Sequence, residues 1–130
     1  MTDATDPRSI VERFLAAMAV EDYSEGLALI AQDCVYINGP SEPVQGPEGV
    51  RATLEPFFAP IDENIFLQQR VAVAGNTVFV ERLDRHRIGE AWIELPVTGV
   101  FEVNNGKISY WREYFDLDTI REPLTALLTS

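Results

Sequence analysis

The carboxyl-terminal half of the chain contains regular turn signals that limit the folds it can adopt. Glycine and asparagine recur at three points, Gly75-Asn76, Gly89 and Asn104-Asn105-Gly106. The segments between them are rich in β-branched and aromatic residues and cover about residues 61–74, 77–88, 91–103 and 107–115. Turns of this composition join neighbouring antiparallel strands. We therefore predict an antiparallel meander of four strands.

The amino-terminal half instead shows the spacing of amphipathic helices. A first helix is predicted to begin at Asp6-Pro7, because Asp is a favoured N-cap and Pro a favoured first helical residue. The apolar stripe of this first helix comprises Ile10, Phe14, Ala17 and Met18. A second helix, capped by Asp22, carries Tyr23, Leu27 and Ile30. A third helix begins at Pro47 and carries Val50, Leu54, Phe57 and Phe58. A strand is predicted at 34–38, and a closing helix follows Asp116.

The order of these elements predicts an α+β fold, because helices and antiparallel strands occupy separate stretches of the chain. A curved sheet with helices on one face encloses a pocket, and such cavities are common ligand sites. The 130 residues are expected to form a single domain over 1–130, with 1–6 as a flexible leader.

Composition narrows the classes of function. The formal net charge of −11 argues against partners such as nucleic acid or an anionic membrane, since both require basic patches. No apolar run approaches the ~18 residues that span a bilayer, and no apolar segment of a secretion signal is present near the start. Cys34 is the single cysteine, which rules out an internal disulfide and fits a reducing, cytoplasmic setting.

One predicted strand places charged side chains on the same face as apolar ones. Strand residues two apart point the same way, so one face carries Val78, Val80, Arg82, Asp84 and His86. The valines indicate that this face is interior. A buried Arg or Asp without a partner costs several kcal/mol, so the sequence requires a balancing charge nearby.

Glu113, in the last predicted strand, can supply that charge. With Arg82 cationic, one carboxylate ionised and the other protonated, the three groups sum to zero, the least costly state for an apolar cavity. Such a pair leaves one acid and one base at neutral pH. A second interpretation is a surface network of Arg82, Asp84 and Glu113, because charge pairs between strands are common.

Tyr36 and Asn38 add a phenol and an amide at the same spacing of two residues in an earlier strand. They can point into the same cavity as the charged groups. They also fit a core phenol and an Asn that begins the turn at Gly39-Pro40. The residues alone leave both interpretations open.

Taken together, these motifs resemble the limonene-1,2-epoxide hydrolase family, within the nuclear transport factor 2-like, SnoaL-like superfamily. The resemblance rests on Tyr36-Ile37-Asn38, Glu81-Arg82-Leu83-Asp84, Gly99-Val100-Phe101 and the block from Gly106 to Leu117. It implies a cone-shaped, curved sheet of mixed or antiparallel strands, with amino-terminal helices covering a deep pocket. It also implies hydrolysis of a small, mostly apolar epoxide without a metal or cofactor.

In this family a carboxylate activates water and a second carboxylic acid protonates the epoxide oxygen. The matching motifs imply Glu113 as base, Asp84 as acid and Arg82 as the bridge between them, with Tyr36 and Asn38 holding the water. The family normally has Asp where this chain has Glu113, which is one methylene longer. This difference is expected to affect efficiency more than the type of reaction, since a misplacement of about 1 Å can cost about 100-fold.

The walls of the pocket are expected to be apolar. They comprise Leu95, Val97, Trp111 and Phe115 from strands and their flanks, and Met18, Leu54 and Phe58 from helices. Plain core packing is the alternative for each of them. His86 stands where the family tends to have an apolar residue, and we expect it at the pocket mouth, where it indicates a more polar or differently shaped substrate.

Other functions remain open on the same fold. One alternative is a proton-transfer enzyme, since ketosteroid isomerases and polyketide cyclases also use a carboxylate base. Arg82 between two carboxylates favours water activation over that chemistry. A second alternative is a domain without catalytic activity, since other proteins of this fold only bind small molecules or assemble. Zinc or iron sites are not expected because His86 is the only histidine. A homodimer is expected through an outer sheet face that carries Phe79 and Leu83.

Overall fold

The computed structural model describes residues 5–129. Its helices are α1 (Pro7–Ala19), α2 (Tyr23–Leu27), α3 (Gly46–Phe58) and α4 (Leu117–Thr129). Its strands are β1 (Ile30–Asn38), β2 (Val44–Gln45), β3 (Glu63–Ala74), β4 (Thr77–Ile88), β5 (Ala91–Asn104) and β6 (Lys107–Tyr114). The predicted α+β class is confirmed, and the four meander strands lie close to their predicted bounds.

Local sequence signals account for the start of α1. The Asp6 carboxylate accepts a hydrogen bond from the backbone N–H of Ser9 over 3.2 Å, and Pro7 follows as the first helical residue. Asp6 therefore belongs to the helix start, although it falls in the predicted leader 1–6. Residues 1–4 of that leader lie outside the described residues.

One helix boundary differs from the prediction. The sequence pattern places Ile30 in the second helix, whereas α2 ends at Leu27 and Ile30 is the first residue of β1. Ile30 is 1% exposed and pairs with Ile108 of β6. The local pattern of an apolar residue just after a short helix is compatible with a helix or a strand. Pairing with the distant Ile108 places Ile30 in a strand.

All six strands form one sheet in the order β2-β1-β6-β5-β4-β3. Strands β3 to β6 are antiparallel neighbours in sequence order, as predicted, whereas β1 pairs with β6 in parallel. The sheet is therefore mixed, and it is curved and unclosed. The parallel contact sets the end of β1 beside the end of β6, which is far away in the sequence.

The two faces of β4 have opposite character. On the inner face, Val78, Val80 and Arg82 are 0%, 1% and 3% exposed. On the outer face, Phe79 is 41% exposed and Leu83 is half-buried. The prediction that the valine-bearing face is interior is confirmed.

Helices cover the inner face of the sheet and leave the outer face open. Helices α1 and α3 pack into the main core, and Ile120 of α4 packs against Leu95 and Val97 of β5. On the outer side Trp92 lies under the guanidinium of Arg85, with 4.4 Å between the Arg85 Cζ and the ring centroid. Within residues 5–129, no helix has the length and apolar character needed to cross a membrane.

Candidate active site

A guanidinium lies between two carboxylates on the inner face of the sheet. Arg82 Nε and Nη2 donate to Asp84 Oδ1 and Oδ2, each over 2.9 Å. Arg82 Nη1 and Nη2 donate to Glu113 Oε2 over 3.2 Å and Oε1 over 2.5 Å. Arg82, Asp84 and Glu113 are 3%, 6% and 6% exposed. They form a buried, twice-bidentate network, so the interpretation as a surface network is wrong.

Strand β5 runs between Arg82 on β4 and Glu113 on β6, and Gly99 of β5 provides the space for their contact. Gly99 is the register partner of Glu113. A Cβ at position 99 would overlap Glu113 Oε2 and lie 3.0 Å from Arg82 Nη1. The neighbouring inward positions of β5, Val97 and Phe101, carry buried side chains. A glycine within such a strand indicates that other groups approach its backbone closely. The sequence contains this signal, although Gly99 was not among the residues predicted for the site.

Burial and mutual contact shift the protonation of this network. Burial lowers the pKa of the Arg82 guanidinium, but the charge of Glu113 and the hydrogen bonds and charge of Asp84 outweigh it, so that pKa is raised. Burial raises the pKa of the Glu113 carboxyl above its ordinary value of 4.5, and the Arg82 charge offsets only part of the rise. Arg82 is therefore always cationic, while Glu113 holds a proton more readily than an exposed carboxyl does.

Strand β1 sets the phenol and amide beside Glu113. Tyr36 is the register partner of Trp111, and Asn38 is the register partner of Glu113. The Gly39 N–H donates to the Glu113 carbonyl oxygen over 2.9 Å, which fixes the end of β1 against β6. Tyr36 stacks on Trp111 with ring centroids 3.9 Å apart and planes 10° apart. Burial and then the Glu113 charge raise the pKa of Tyr36, so its hydroxyl stays protonated.

These groups lie in the wall of a cavity of about 770 Å³, counted to its open mouth. Every residue expected at the site lines it, namely Arg82, Asp84, Glu113, Tyr36, Asn38, Leu95, Val97, Trp111, Phe115, His86, Met18, Leu54 and Phe58. The lining also includes Leu15, Thr53, Phe57, Phe66, Leu117 and Ile120, which were not predicted. The last two belong to α4, whose return over β5 is a tertiary contact that no local pattern in the chain specifies.

His86 belongs to the buried wall of the cavity and is only 2% exposed, so it is not an exposed group at the mouth. Its Nδ1 lies 2.7 Å from Oδ1 of Asn64, the residue opposite it on β3. Phe57 and Phe66 flank the ring, with centroids 5.2 and 6.4 Å away. Burial lowers the pKa of His86, so the ring is neutral at neutral pH.

Metal ligands do not cluster in the part of the chain that the structure covers: within residues 5–129 no three His, Cys, Asp or Glu side chains are arranged to hold an ion. Cys34 is 0% exposed, and burial raises the pKa of its thiol to about 11. Its thiol is therefore protonated and poorly nucleophilic, and Cys34 packs in the hydrophobic core.

Comparison with known sequences indicates the family. A family model described as the limonene-1,2-epoxide hydrolase catalytic domain matches residues 5–125. Epoxide hydrolase EphG from Mycobacterium tuberculosis (strain ATCC 25618 / H37Rv) is 33% identical over 107 residues, which cover 82% of this chain and 71% of that protein.

Comparison with solved structures agrees. An M. tuberculosis epoxide hydrolase described as LEH-like superposes with a TM-score of 0.78 at 30% identity, covering 96% of each chain. A SnoaL-like protein from Shewanella putrefaciens CN-32 gives a TM-score of 0.80 at 14% identity, over 92% of this chain and 96% of that one, and shows the fold alone. By fold and by sequence, this chain belongs to the limonene-1,2-epoxide hydrolase family.

Proposed function

We propose that this chain is an epoxide hydrolase that adds an activated water to a small lipophilic epoxide in one step and releases a vicinal diol. The observation that carries this proposal is the buried contact of Arg82 with both Asp84 and Glu113 in the wall of a mostly apolar cavity. Membership of the family supports the type of reaction. The guanidinium offsets one of two negative charges, so that a single proton makes the group neutral.

Strand order supports Glu113 as the base. Its strand β6 lies between β1, which carries Tyr36 and Asn38, and β5. Asp84 is on β4, three strands away from β1 in the order β1-β6-β5-β4. A water held by Tyr36 and Asn38 therefore meets the carboxylate of Glu113 before that of Asp84.

The hydrogen-bonding capacities of these groups are consistent with one bound water. The water donates one hydrogen bond to Glu113 and one to the Asn38 side-chain carbonyl, and it accepts a hydrogen bond from the Tyr36 hydroxyl. One lone pair is left to attack carbon. The raised pKa of Glu113 makes it a stronger proton acceptor once it is ionised.

Because the neutral group holds a single proton and Glu113 is the base, Asp84 is the acid. In the reactive state Glu113 is ionised and the one shared proton is on Asp84. The water oxygen bonds to an oxirane carbon, the carbon–oxygen bond of the oxirane breaks, and Asp84 protonates the departing oxygen while Glu113 takes the proton of the water. Transfer of a proton from Glu113 to Asp84, the two carboxyls bridged by Arg82, then restores the starting state of the site.

The extra methylene of Glu113 is accommodated by its surroundings. The missing side chain of Gly99 leaves room for the Glu113 carboxylate against Arg82. The longer side chain contacts the Arg82 guanidinium in this space, which supports Glu113 as the base in place of Asp.

Incubation with a panel of cyclic and terminal epoxides tests the proposal. We expect diol formation that falls by about 10²–10⁴-fold in Glu113→Gln and in Asp84→Asn. The matched controls are Glu94→Gln and Asp62→Asn, whose carboxylates contact arginines on the outer face of the sheet, and these variants should keep full activity. Absence of any diol, or full activity in both site variants, would contradict the proposal. Isomerisation of an enone without diol formation would favour the proton-transfer alternative.

A single turnover in ¹⁸O-labelled water tests the one-step addition. Direct attack by water places the label in the diol during the first turnover and leaves none in the protein. Attack by a carboxylate would instead transfer unlabelled oxygen from Glu113 or Asp84 to the first product. Mass spectrometry of the diol and of the peptides that contain these two residues distinguishes the two routes.

We also propose a homodimer that acts in the cytoplasm, where a lone thiol stays reduced. The outer face of the sheet carries Phe79 at 41% and Leu67 at 44% exposure, and Leu67 pairs with the half-buried Leu83. Exposed apolar side chains on one sheet face favour pairing with a second copy. Sedimentation of the protein should give a dimer, and Phe79→Lys should shift it to monomer.

A further inference from the structure

His86 is a polar group of the cavity wall that the proposed chemistry does not use. Two other uncharged polar groups of the wall are not assigned to the water. The Thr53 hydroxyl already donates to the Gly49 carbonyl oxygen over 3.0 Å, and the indole N–H of Trp111 can only donate. The ring of His86 stands between two phenyl rings, those of Phe57 and Phe66. A single imidazole in an apolar wall is a strong determinant of which substrate fits, because an unpaired polar group there disfavours an apolar ligand.

Asn64 determines which nitrogen of the ring faces the ligand. Its Oδ1 accepts from Nδ1 of His86, which places the proton of the neutral ring on Nδ1. Nδ2 of Asn64 is buried and has no hydrogen-bond partner within residues 5–129, so in this part of the chain the Asn64 side chain bonds to His86 through Oδ1 alone. The hydrogen bonds of the described residues use only Nδ1 of the ring. Nε2 therefore carries a lone pair and is an acceptor.

The distance from His86 to the reacting groups follows from the strand. Asp84 and His86 are two residues apart on the same face of β4 and both line the cavity. Successive same-face residues in a strand are separated by roughly 6.6 Å. A six-membered ring lying along the strand can therefore face Asp84 at one side and His86 at the other.

We infer that His86, oriented by Asn64, binds a hydroxyl group of the substrate, so that the substrate class is an epoxide that carries a hydroxyl on the far side of a ring from the oxirane. The hydroxyl donates to Nε2 of His86 while the oxirane oxygen faces Asp84. A ketone or ether oxygen in the same place gains nothing, because Nε2 carries no proton. This inference rests on the proposed function for the placement of the oxirane.

Binding of three unreactive ring ketones tests the inference without any turnover. Cyclohexanone, 4-hydroxycyclohexanone and 1,4-cyclohexanedione share a carbonyl that can face Asp84 and differ only at the far side of the ring. We expect 4-hydroxycyclohexanone to bind about two- to tenfold more tightly than cyclohexanone, the range of one net hydrogen bond, and the dione to show no gain. Calorimetric titration or ligand-observed NMR gives the dissociation constants.

Substitution of the ring should remove this preference. In His86→Leu the hydroxyl-bearing ketone should lose its advantage over cyclohexanone. Because that change leaves Asn64 buried without its partner, a His86→Leu/Asn64→Leu variant is measured in parallel, since removal of both partners avoids the unpaired group. The matched control is Leu95→Val, which alters the shape of the wall and should shift the affinities for all three ketones together.

The inference is overturned if the wild-type protein binds cyclohexanone and 4-hydroxycyclohexanone equally, or if both His86 variants keep the preference. It is also overturned if the dione gains as much as the hydroxyketone. Hydrolysis of cyclohexene oxide and of its 4-hydroxy derivative is measured separately. Selective binding without hydrolysis of either epoxide would support the hydroxyl site and contradict the proposed function, whereas hydrolysis without selective binding would do the reverse.

Discussion

Strand β4 carries two arginines that each contact two carboxylates, and they lie on opposite faces of the sheet. Arg82, on the inner face, contacts Asp84 and Glu113, and its side chain is 3% exposed. Arg87, on the outer face, contacts Asp62 over 3.9 Å and Glu63 over 3.2 Å, and its side chain is 32% exposed. The two groups consist of the same residue types, an arginine of β4 with one aspartate and one glutamate.

The comparison shows that the surroundings, and not the set of residues, produce a reactive group. Water screens the charges around Arg87. Exposed ion pairs of this kind typically contribute about 0.2–1 kcal/mol to the free energy of unfolding. The charges around Arg82 are buried, so removing one partner typically costs about 3–5 kcal/mol. In the inner group the pKa of the Glu113 carboxyl is raised by burial, and a cavity lies beside it.

Removing the two guanidiniums separately should give the largest difference between the faces. Arg82→Met leaves two buried carboxylates without a counter-charge, so we expect loss of activity and destabilisation by about 3–5 kcal/mol. Arg87→Met, its matched control, should keep activity and lose less than about 1 kcal/mol. Chemical denaturation and diol formation give both quantities. Equal effects of the two substitutions would break the comparison.

Filling the space at Gly99 should disrupt the inner group while leaving its charges in place. A methyl group in Gly99→Ala overlaps the Glu113 carboxylate, and a displacement of about 1 Å should lower kcat about 100-fold. Shortening the base in Gly99→Ala/Glu113→Asp should restore part of that loss, because the shorter side chain vacates the space. Thr98→Ala, at the neighbouring outward position, is the control and should keep kcat unchanged. An active Gly99→Ala variant would show that the contact with Arg82 tolerates displacement.

The pH dependence of kcat/KM should report the inner group alone. Glu113 acts as a base only when ionised, and burial raises its pKa, so kcat/KM should rise on the acid side of its pH profile with a midpoint above 4.5, and it should fall again once the one shared proton is lost. The folded protein binds this proton more tightly than the unfolded chain, so the contribution of Glu113 to stability is present at low pH and is lost as pH rises through the folded pKa. Glu63→Gln on the outer face should leave the midpoint unchanged. A midpoint at or below 4.5 would contradict a buried base.

The smallest effects are expected from carboxylates of the outer face. Glu94→Gln removes a 3.0 Å contact with Arg85, and the Glu94 side chain is 54% exposed. The free energy of unfolding should change by less than about 1 kcal/mol, and this difference should shrink further in 1 M salt. Denaturation at low and high salt checks both expectations. A loss as large as that of Arg82→Met would show that exposure is not what separates the two groups.

The sequence contains enough local information to predict the inner face of β4. The alternation from Val78 to His86 places Arg82 and Asp84 inside, and the turn residues at Gly75, Gly89 and Gly106 delimit the strands that carry them. Each of these signals depends on spacing within a few residues, which secondary structure fixes directly.

Other parts of the site depend on contacts between distant segments. The parallel pairing of β1 with β6, which places Asn38 beside Glu113, leaves no mark in either strand alone. Asn64 became a partner of His86 only through the register of β3 with β4. The return of α4 over the cavity and the placement of Ile30 in a strand are also decided by tertiary packing. Local periodicity does not determine such pairings.

The stacking of Tyr36 on Trp111 gives the cavity its own optical reporter. The chain has two tryptophans, and the other, Trp92, is 37% exposed on the opposite side of the sheet. A soluble quencher such as iodide should therefore reach the indole of Trp92 and spare that of Trp111. Emission that survives quenching would then follow events inside the cavity, and a Trp92→Phe variant would report occupancy without any added label.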